Sequence, residues 1–225
     1  MMKIMTGALL IAACALPVLA QKDAEARLTA ATEDLKEMMN ASDKGIPQEL
    51  LSKASCVVVI PNQKAAGFIV GGQYGKGFFS CRKPSGVGWS APGSLRISGG
   101  KFGFLIGGQE TDVIMLVMND NGMQHLLSSK FKLGGEAAAA AGPVGRSSTA
   151  MTDAQMRAQI LTYSRSRGAY VGLELAGDAV TEDDEANMEL YGKKISNKEI
   201  LKSSPQVPHI AQGFVRTLDR ISSRK

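Results

Sequence analysis

The sequence predicts an α+β domain: a curved, mostly antiparallel, glycine-rich β-sheet or partial barrel, with helices packed on it from both ends of the chain. Three observations lead there. Thirteen of the 25 glycines fall between Gly67 and Gly108. Within that stretch Gly67-Phe68-Ile69-Val70-Gly71-Gly72-Gln73 is echoed 36 residues later by Gly103-Phe104-Leu105-Ile106-Gly107-Gly108-Gln109. Apolar residues at helical spacing flank this region on both sides. Glycine weakens a strand interior and is kept for a bend, a bulge or a close backbone approach, so glycines repeated on one strand face argue for strong curvature. Two copies are too few for a solenoid and fit one sheet with a pseudo-repeated piece.

Residues 1–20 read as a secretory signal of bacterial type. Lys3 supplies the positive start, Gly7 to Leu16 the apolar core, and Val18-Leu19-Ala20 a small-residue cleavage site. Cleavage after Ala20 implies a periplasmic or secreted protein. Ile11-Ala12-Ala13-Cys14 also resembles a lipobox, so a lipoprotein anchored at Cys14 is the alternative. The chain then divides into an N-terminal helical segment (21–55), a β-rich core (56–192) and a C-terminal helical tail (193–225), forming one domain.

Ala24, Leu28, Ala31, Leu35 and Met38 mark a helix over 24–40. Pro47 suits the first turn of a short helix ending near Lys53. Cys56-Val57-Val58-Val59-Ile60 is a buried strand that Pro61-Asn62 ends. Strands follow at 66–72, 74–82, 94–98, 101–107 and 112–118, the last central because it is apolar on both faces. Asn119 to Gly122 is a turn before a short helix over 123–129. Phe131–Leu133 and the alanines 137–141 read as packed strands, and 147–155 as a polar loop. Strands at 160–165 and 169–175 meet at Arg167-Gly168. Thr181 caps a helix opening Glu182-Asp183-Asp184-Glu185. Ile210, Phe214, Leu218 and Ile221 form the stripe of a final helix.

After removal of the leader two cysteines remain, Cys56 and Cys81, both at strand ends. A disulfide is the default in an oxidising compartment; two buried thiols are the alternative.

The chemistry present is narrow. The net charge of +5 becomes +4 without Lys3, mildly basic and not a nucleic-acid signature. The two histidines, His125 and His209, lie far apart, and no zinc spacing exists. Ser90 in GWSAPG is not a nucleophile elbow, and the 72–77 glycines fit neither a dinucleotide fingerprint nor a P-loop. Glu110 and Asp112 share a strand face and read as a solvated strand end before a carboxylate pair. No catalysis and no cofactor are expected.

What remains is a set of cations near turns: Lys53, Lys64, Lys76, Arg82, Lys83, Arg96, Lys101, Lys130, Lys132 and Arg146. Such groups hold phosphate through charge-assisted hydrogen bonds. Arg216, Arg220 and Arg224 beside the last helix's apolar stripe fit either an anionic membrane or packing on the sheet. Trp89 fits an interfacial anchor or a packed core.

Taken together, GFIVGGQYGKG, GWSAPGSLRISGGKFGFLIGGQETDVIMLVMN, KFKLGGEAAAAAGPVGR and ILTYSRSRGAYVGLEL, followed by an acidic helix and Tyr191-Gly192, resemble the SYLF domain over roughly Ala24 to Gly192. The resemblance implies a module that binds anionic phospholipid or a membrane surface, with actin binding in fungal members. Actin is not expected as a partner of an exported bacterial member. A protein partner in the envelope is the alternative to lipid. The resemblance brings no catalytic set. The N-terminal helix, which carries basic residues in eukaryotic members, here holds more acids than bases: Glu25, Glu33, Asp34 and Glu37 against Arg27 and Lys36.

Overall fold

The computed structural model describes residues 16–40, 45–67, 70–102, 107–145, 151–166, 169–173 and 175–222. In chain order the helices are α1 (Leu16–Asn40), α2 (Gln48–Lys53), α3 (Asp120–Leu126), α4 (Asp153–Arg157), α5 (Asp184–Tyr191), α6 (Asn197–Ser203) and α7 (Gln212–Ile221). The strands are β1 (Cys56–Gly67), β2 (Val70–Cys81), β3 (Gly93–Phe102), β4 (Gly107–Val117), β5 (Lys130–Lys132), β6 (Ala139–Ala141), β7 (Ile160–Ser166), β8 (Ala169–Gly172) and β9 (Ala179–Glu182). They form one sheet in the order β5-β9-β3-β2-β1-β4-β7-β6, with β8 also on β7. Among the described strand pairs, β6–β7 alone is parallel. The run β3-β2-β1-β4 is a Greek key: a hairpin, a neighbouring third strand, and a fourth that returns beside the first.

The sheet cannot be flat. β5 and β6 sit at opposite ends of the eight-strand path, which in a flat sheet spans about 34 Å. Residues 133–138 join them, and a link of that length reaches at most about 25 Å. The sheet therefore curls into a half-barrel, and Leu133 and Ala137 bridge within the link.

Period-two alternation divides the core. From β1, Val57 and Val59 face a cluster with Leu28, Ala31 and Leu35 of α1, Leu51 of α2, and Phe214, Leu218 and Ile221 of α7. Cys56, Val58 and Ile60 face the inside of the curl, with Ile97, Met115, Phe131, Leu133 and Val180. The α7 stripe is covered by α1 and the sheet, and Trp89 is 1% exposed, so both belong to the core.

Several sequence expectations need correction. Pro61-Asn62 does not end the first strand. It forms a β-bulge, where a residue without an N–H is tolerated even in a central strand, and Asn62 takes φ 50°. The strand then runs on to Gly67. The expected strand 66–72 is a hairpin end: Gly67 pairs with Gly71, and a Cβ at Gly67 would lie 2.3 Å from the Gly71 Cα, so only glycine fits. Asn119–Gly122 is a helix start, since the Asn119 side chain accepts from the Gly122 N–H. Thr181 lies in β9, where a β-branched residue fits, and Asp183 caps α5 instead. The polar loop contains α4, whose Thr152 and Gln155 form a capping box. Helix α6 was not expected; Ser196 and Glu199 cap it in the same way.

The two glycine repeats flank β1 symmetrically. Gly71 and Gly107 both pair with Gly67, Gly72 and Gly108 with Ala66, and Gln73 and Gln109 with Ala65. The Phe68 and Phe104 portions of the repeats, the Arg167-Gly168 turn, and residues 1–15 with Cys14 lie outside the described residues.

Cys56 and Cys81 face each other across β1 and β2 and form a disulfide inside the curl. Closing a loop of sequence separation 25 should stabilise the fold by about 3 kcal/mol. Urea unfolding of the oxidised protein and of a Cys56→Ala/Cys81→Ala variant should differ by about that amount; equal midpoints would contradict it. Gly77 gives a sharper packing test. A Cβ there would lie 2.1 Å from the Val59 carbonyl oxygen, whereas at Gly100 it would meet nothing within 4 Å. Gly77→Ala should cost about 2–4 kcal/mol and Gly100→Ala under about 0.5 kcal/mol, read from the same unfolding curves.

Candidate functional site: a half-covered cationic sheet face

The sheet face that carries α1 and α7 is only half covered. Phe78 of β2 points into the helix-side core, so Lys76, Tyr74 and Gly72 emerge on the same face. Following the strand register outward from these residues gives three cross-strand rows. The first is Lys130–Thr181–Arg96–Lys76, across β5, β9, β3 and β2. The second is Lys132–Ala179–Ser98–Tyr74–Lys64–Glu110, reaching β1 and β4. The third is Gly100–Gly72–Ala66–Gly108. Rows lie about 7 Å apart and neighbouring strands about 4.8 Å apart, so five cations share a patch about 19 Å long.

Exposure separates this patch from the core. The Lys64 side chain is 74% exposed, and Lys130, Lys132, Ser98 and Gly100 are exposed. Tyr74 and Val70 stand out as exposed large side chains on β2. Where α1 meets the bulge, Arg27, Pro61, Asn62, Lys64, Tyr74 and Lys76 line a groove of about 430 Å³.

The cations are not equally available. Lys76 lies 3.1 Å from the buried Asp183 carboxylate and 3.9 Å from Glu185. The Arg96 guanidinium donates to the Glu182 carbonyl. Lys64 pairs with Glu110 at 3.5 Å, but both are exposed, and such a pair holds by only about 0–1 kcal/mol. Lys130 and Lys132 have no ion-pair partner among the described residues. The β5 lysines and Lys64 are thus the groups most ready to meet an anion.

The remaining expected residues fall elsewhere. Arg82 is held internally. Its Nε donates to the Ala54 carbonyl at 3.0 Å, its Nη2 to Ser52 at 3.1 Å and to Ser222 at 2.7 Å, and the guanidinium stacks 4.6 Å over Trp89. It ties α2 to the end of α7. Lys53 pairs with Glu49 on α2, away from the patch. Lys101 stands opposite Gly71 in the register. Arg146 lies outside the described residues, as does Arg224. Glu110 and Asp112 do not form a pair: Glu110 faces Lys64, while Asp112 binds Arg165. No group of three or more metal-ligating side chains occurs among the described residues.

Three contributors escaped the sequence reading: Arg27 and Tyr74 at the groove, and the Asp34–Arg165 contact beside it. Asp34 carried a signal. It sits three residues after Ala31 and four before Met38, on the apolar stripe of α1, where a carboxylate needs a partner.

Residues 98–221, more than half of the chain, match the family described as Ysc84, Las17-binding protein actin regulator. The chain belongs to the Ysc84 (SYLF) family. It is 31% identical to Protein YSC84 of Saccharomyces cerevisiae over 181 residues, covering 79% of this chain and 38% of that one. Identity to human SH3 domain-containing YSC84-like protein 1 is also 31%, over 186 residues, covering 82% of this chain and 54% of the human protein. The yeast LAS seventeen-binding protein 3 is 30% identical over 181 residues, with 79% and 39% covered. The chain thus spans between about two fifths and half of the length of these Ysc84-family relatives.

The separation of structural from available cations is testable. Arg82→Ala should lower unfolding stability by about 2–4 kcal/mol, because several buried carbonyls lose a charged donor. Lys132→Ala should change it by under about 0.5 kcal/mol. Similar losses for the two would contradict the assignment.

Proposed function

We propose that the open half of the sheet face binds anionic phospholipid headgroups at a membrane surface, without catalysis, in a protein exported by a leader at residues 1–20. The observation that carries this reading is the register itself, which lines up Lys130, Arg96 and Lys76 in one row and Lys132 and Lys64 in the next. An array of cations spread over several strands suits a surface carrying many phosphates better than it suits one small anion. Tyr74 and Val70 add exposed apolar surface at its margin. The row of Gly100, Gly72, Ala66 and Gly108 leaves no large side chain to hold a phosphate surface away. Arg82 and Lys53 are left out, being engaged elsewhere.

A second reading is a protein partner. The family's own description names Las17 binding, and the yeast relative is named for it. On that reading the face would show no preference among lipids.

Co-sedimentation with phosphatidylcholine vesicles, with and without phosphatidylglycerol, separates the two. Binding should require the anionic lipid and weaken with salt. Each surface lysine contributes about 1 kcal/mol, so Lys130→Ala/Lys132→Ala should weaken binding roughly 30-fold. Equal binding to neutral vesicles, or an unaffected double variant, would overturn the lipid reading.

A further inference from the structure

Three carboxylates meet one guanidinium where α1 crosses the sheet. Arg165 of β7 donates to the Asp112 Oδ2 of β4 through Nε at 3.0 Å and Nη2 at 2.9 Å. The same Nη2 lies 3.4 Å from the Asp34 Oδ1 of α1, and Nη1 reaches Glu37, also on α1. Asp34 is 5% exposed, and the Asp112 and Arg165 side chains are 14% and 17% exposed. One positive charge therefore faces two nearly dry carboxylates, Asp34 and Asp112, and a third, Glu37, that is 53% exposed.

Asp34 and Asp112 approach the same Arg165 Nη2 from α1 and from β4, and the Asp112 Oδ1 also accepts from the Asn62 N–H at 2.9 Å. Two adjoining buried carboxylates are most stable when they share a proton. The other charge acting on Asp34 is Glu33, which adds to the repulsion and is itself bound to Lys36 at 2.7 Å. Elsewhere α1 is held to the domain by apolar contacts of Leu28, Ala31, Leu35 and Met38 and by Arg27, which lies 6.0 Å over the Phe78 ring and attracts Glu189 of α5, so this cluster is the buried carboxylate contact of its docking. The helix also supplies Arg27 to the groove beside Lys64 and Lys76.

We propose that Asp34, Asp112 and Arg165 form a proton-operated latch that fastens α1 to the sheet in mild acid and loosens it in mild base, so that pH sets access to the groove end of the cationic face. The latch rests on the charge cluster alone; only its effect on access rests on the lipid reading.

The direction follows from linkage. Burial first, and the Asp112 charge second, push the Asp34 carboxyl up to about 7, against the attraction of Arg165. A carboxyl raised in the docked state stabilises docking fully below the released helix's 3.8 and loses that stabilisation progressively until pH passes about 7. With an ordinary carboxyl of 3.8 in the released helix, the opening constant should rise on the order of 30-fold between about pH 5.5 and pH 8.5.

Amide hydrogen exchange of the full chain at those two pH values, corrected for intrinsic rates, reads this directly. Protection of residues 24–38 should fall about 30-fold at the higher pH relative to β1 and β4. In Asp34→Asn, neutral and of the same shape, protection should be independent of pH. Equal protection of the wild-type helix at both values, or a pH dependence that survives in Asp34→Asn, would overturn the latch. Vesicle binding at the same two pH values tests access: it should be stronger at pH 8.5 in wild type and level in Asp34→Asn. A changed protection beside unchanged vesicle binding would overturn the access claim alone.

Discussion

Six residues, 133–138, join the two ends of an eight-strand path, and this short tether forces the sheet to curl. Much of the rest follows. A curled sheet has an inside, which fills mainly from the strands, with Val58, Ile60, Ile97, Met115, Phe131 and Val180, and is closed by Leu126 of α3 and Leu201 of α6. The longer terminal helices take the outside, where α1 and α7, with α2, cover the part around Val57, Val59 and Ile114. Glycine is what the curl requires at its tightest approaches: at Gly77 a Cβ would strike the neighbouring strand's carbonyl. A domain poor in aromatic residues reaches two dense cores this way, one inside the curl and one under the helices.

The remainder of the outer face stays bare, and there glycine has a different meaning. Gly100 and Gly108 have open space where a side chain would stand, so packing does not require them. They adjoin two rows of cations that come from strands far apart in sequence. Phosphate recognition by this family member is thus proposed to depend on register, which places residues 64, 76, 96, 130 and 132 together although no local motif unites them. The same register makes Lys76 the least free of the five, because Asp183, fixed as the cap of α5, stands beside it.

Much of the fold was legible in the residues. The curved, mostly antiparallel sheet with terminal helices could be read from the glycines and from the apolar stripes of α1 and α7, and the Cys56–Cys81 pair from its place at two strand ends. What escaped was non-local or depended on exceptions. Pro61 looked like a stop because a bulge cannot be told from a strand end without knowing the partner strands. Thr181 looked like a cap because a strand of four residues, β9, leaves almost no periodic signal. Arg82 looked like a surface cation. Its role at the junction of α2, Trp89 and Ser222 joins residues up to 140 apart in sequence, which only the fold brings together. The cationic set was read as individual residues near turns; which of them share a face required the register.

The central claim is that one face of a single sheet is divided between a helix-covered apolar half and an open cationic half that meets phosphate. The most direct measurement is the footprint of the membrane on the protein, obtained by backbone chemical-shift mapping as small phosphatidylglycerol bicelles are added. The account predicts that the largest shifts cluster on β5, β9, β3 and the Tyr74 end of β2, around Lys132, Ser98 and Lys64, with α2 and the buried face of α7 unchanged. Shifts centred on α7 or α2, or none on β5 and β3, would contradict it.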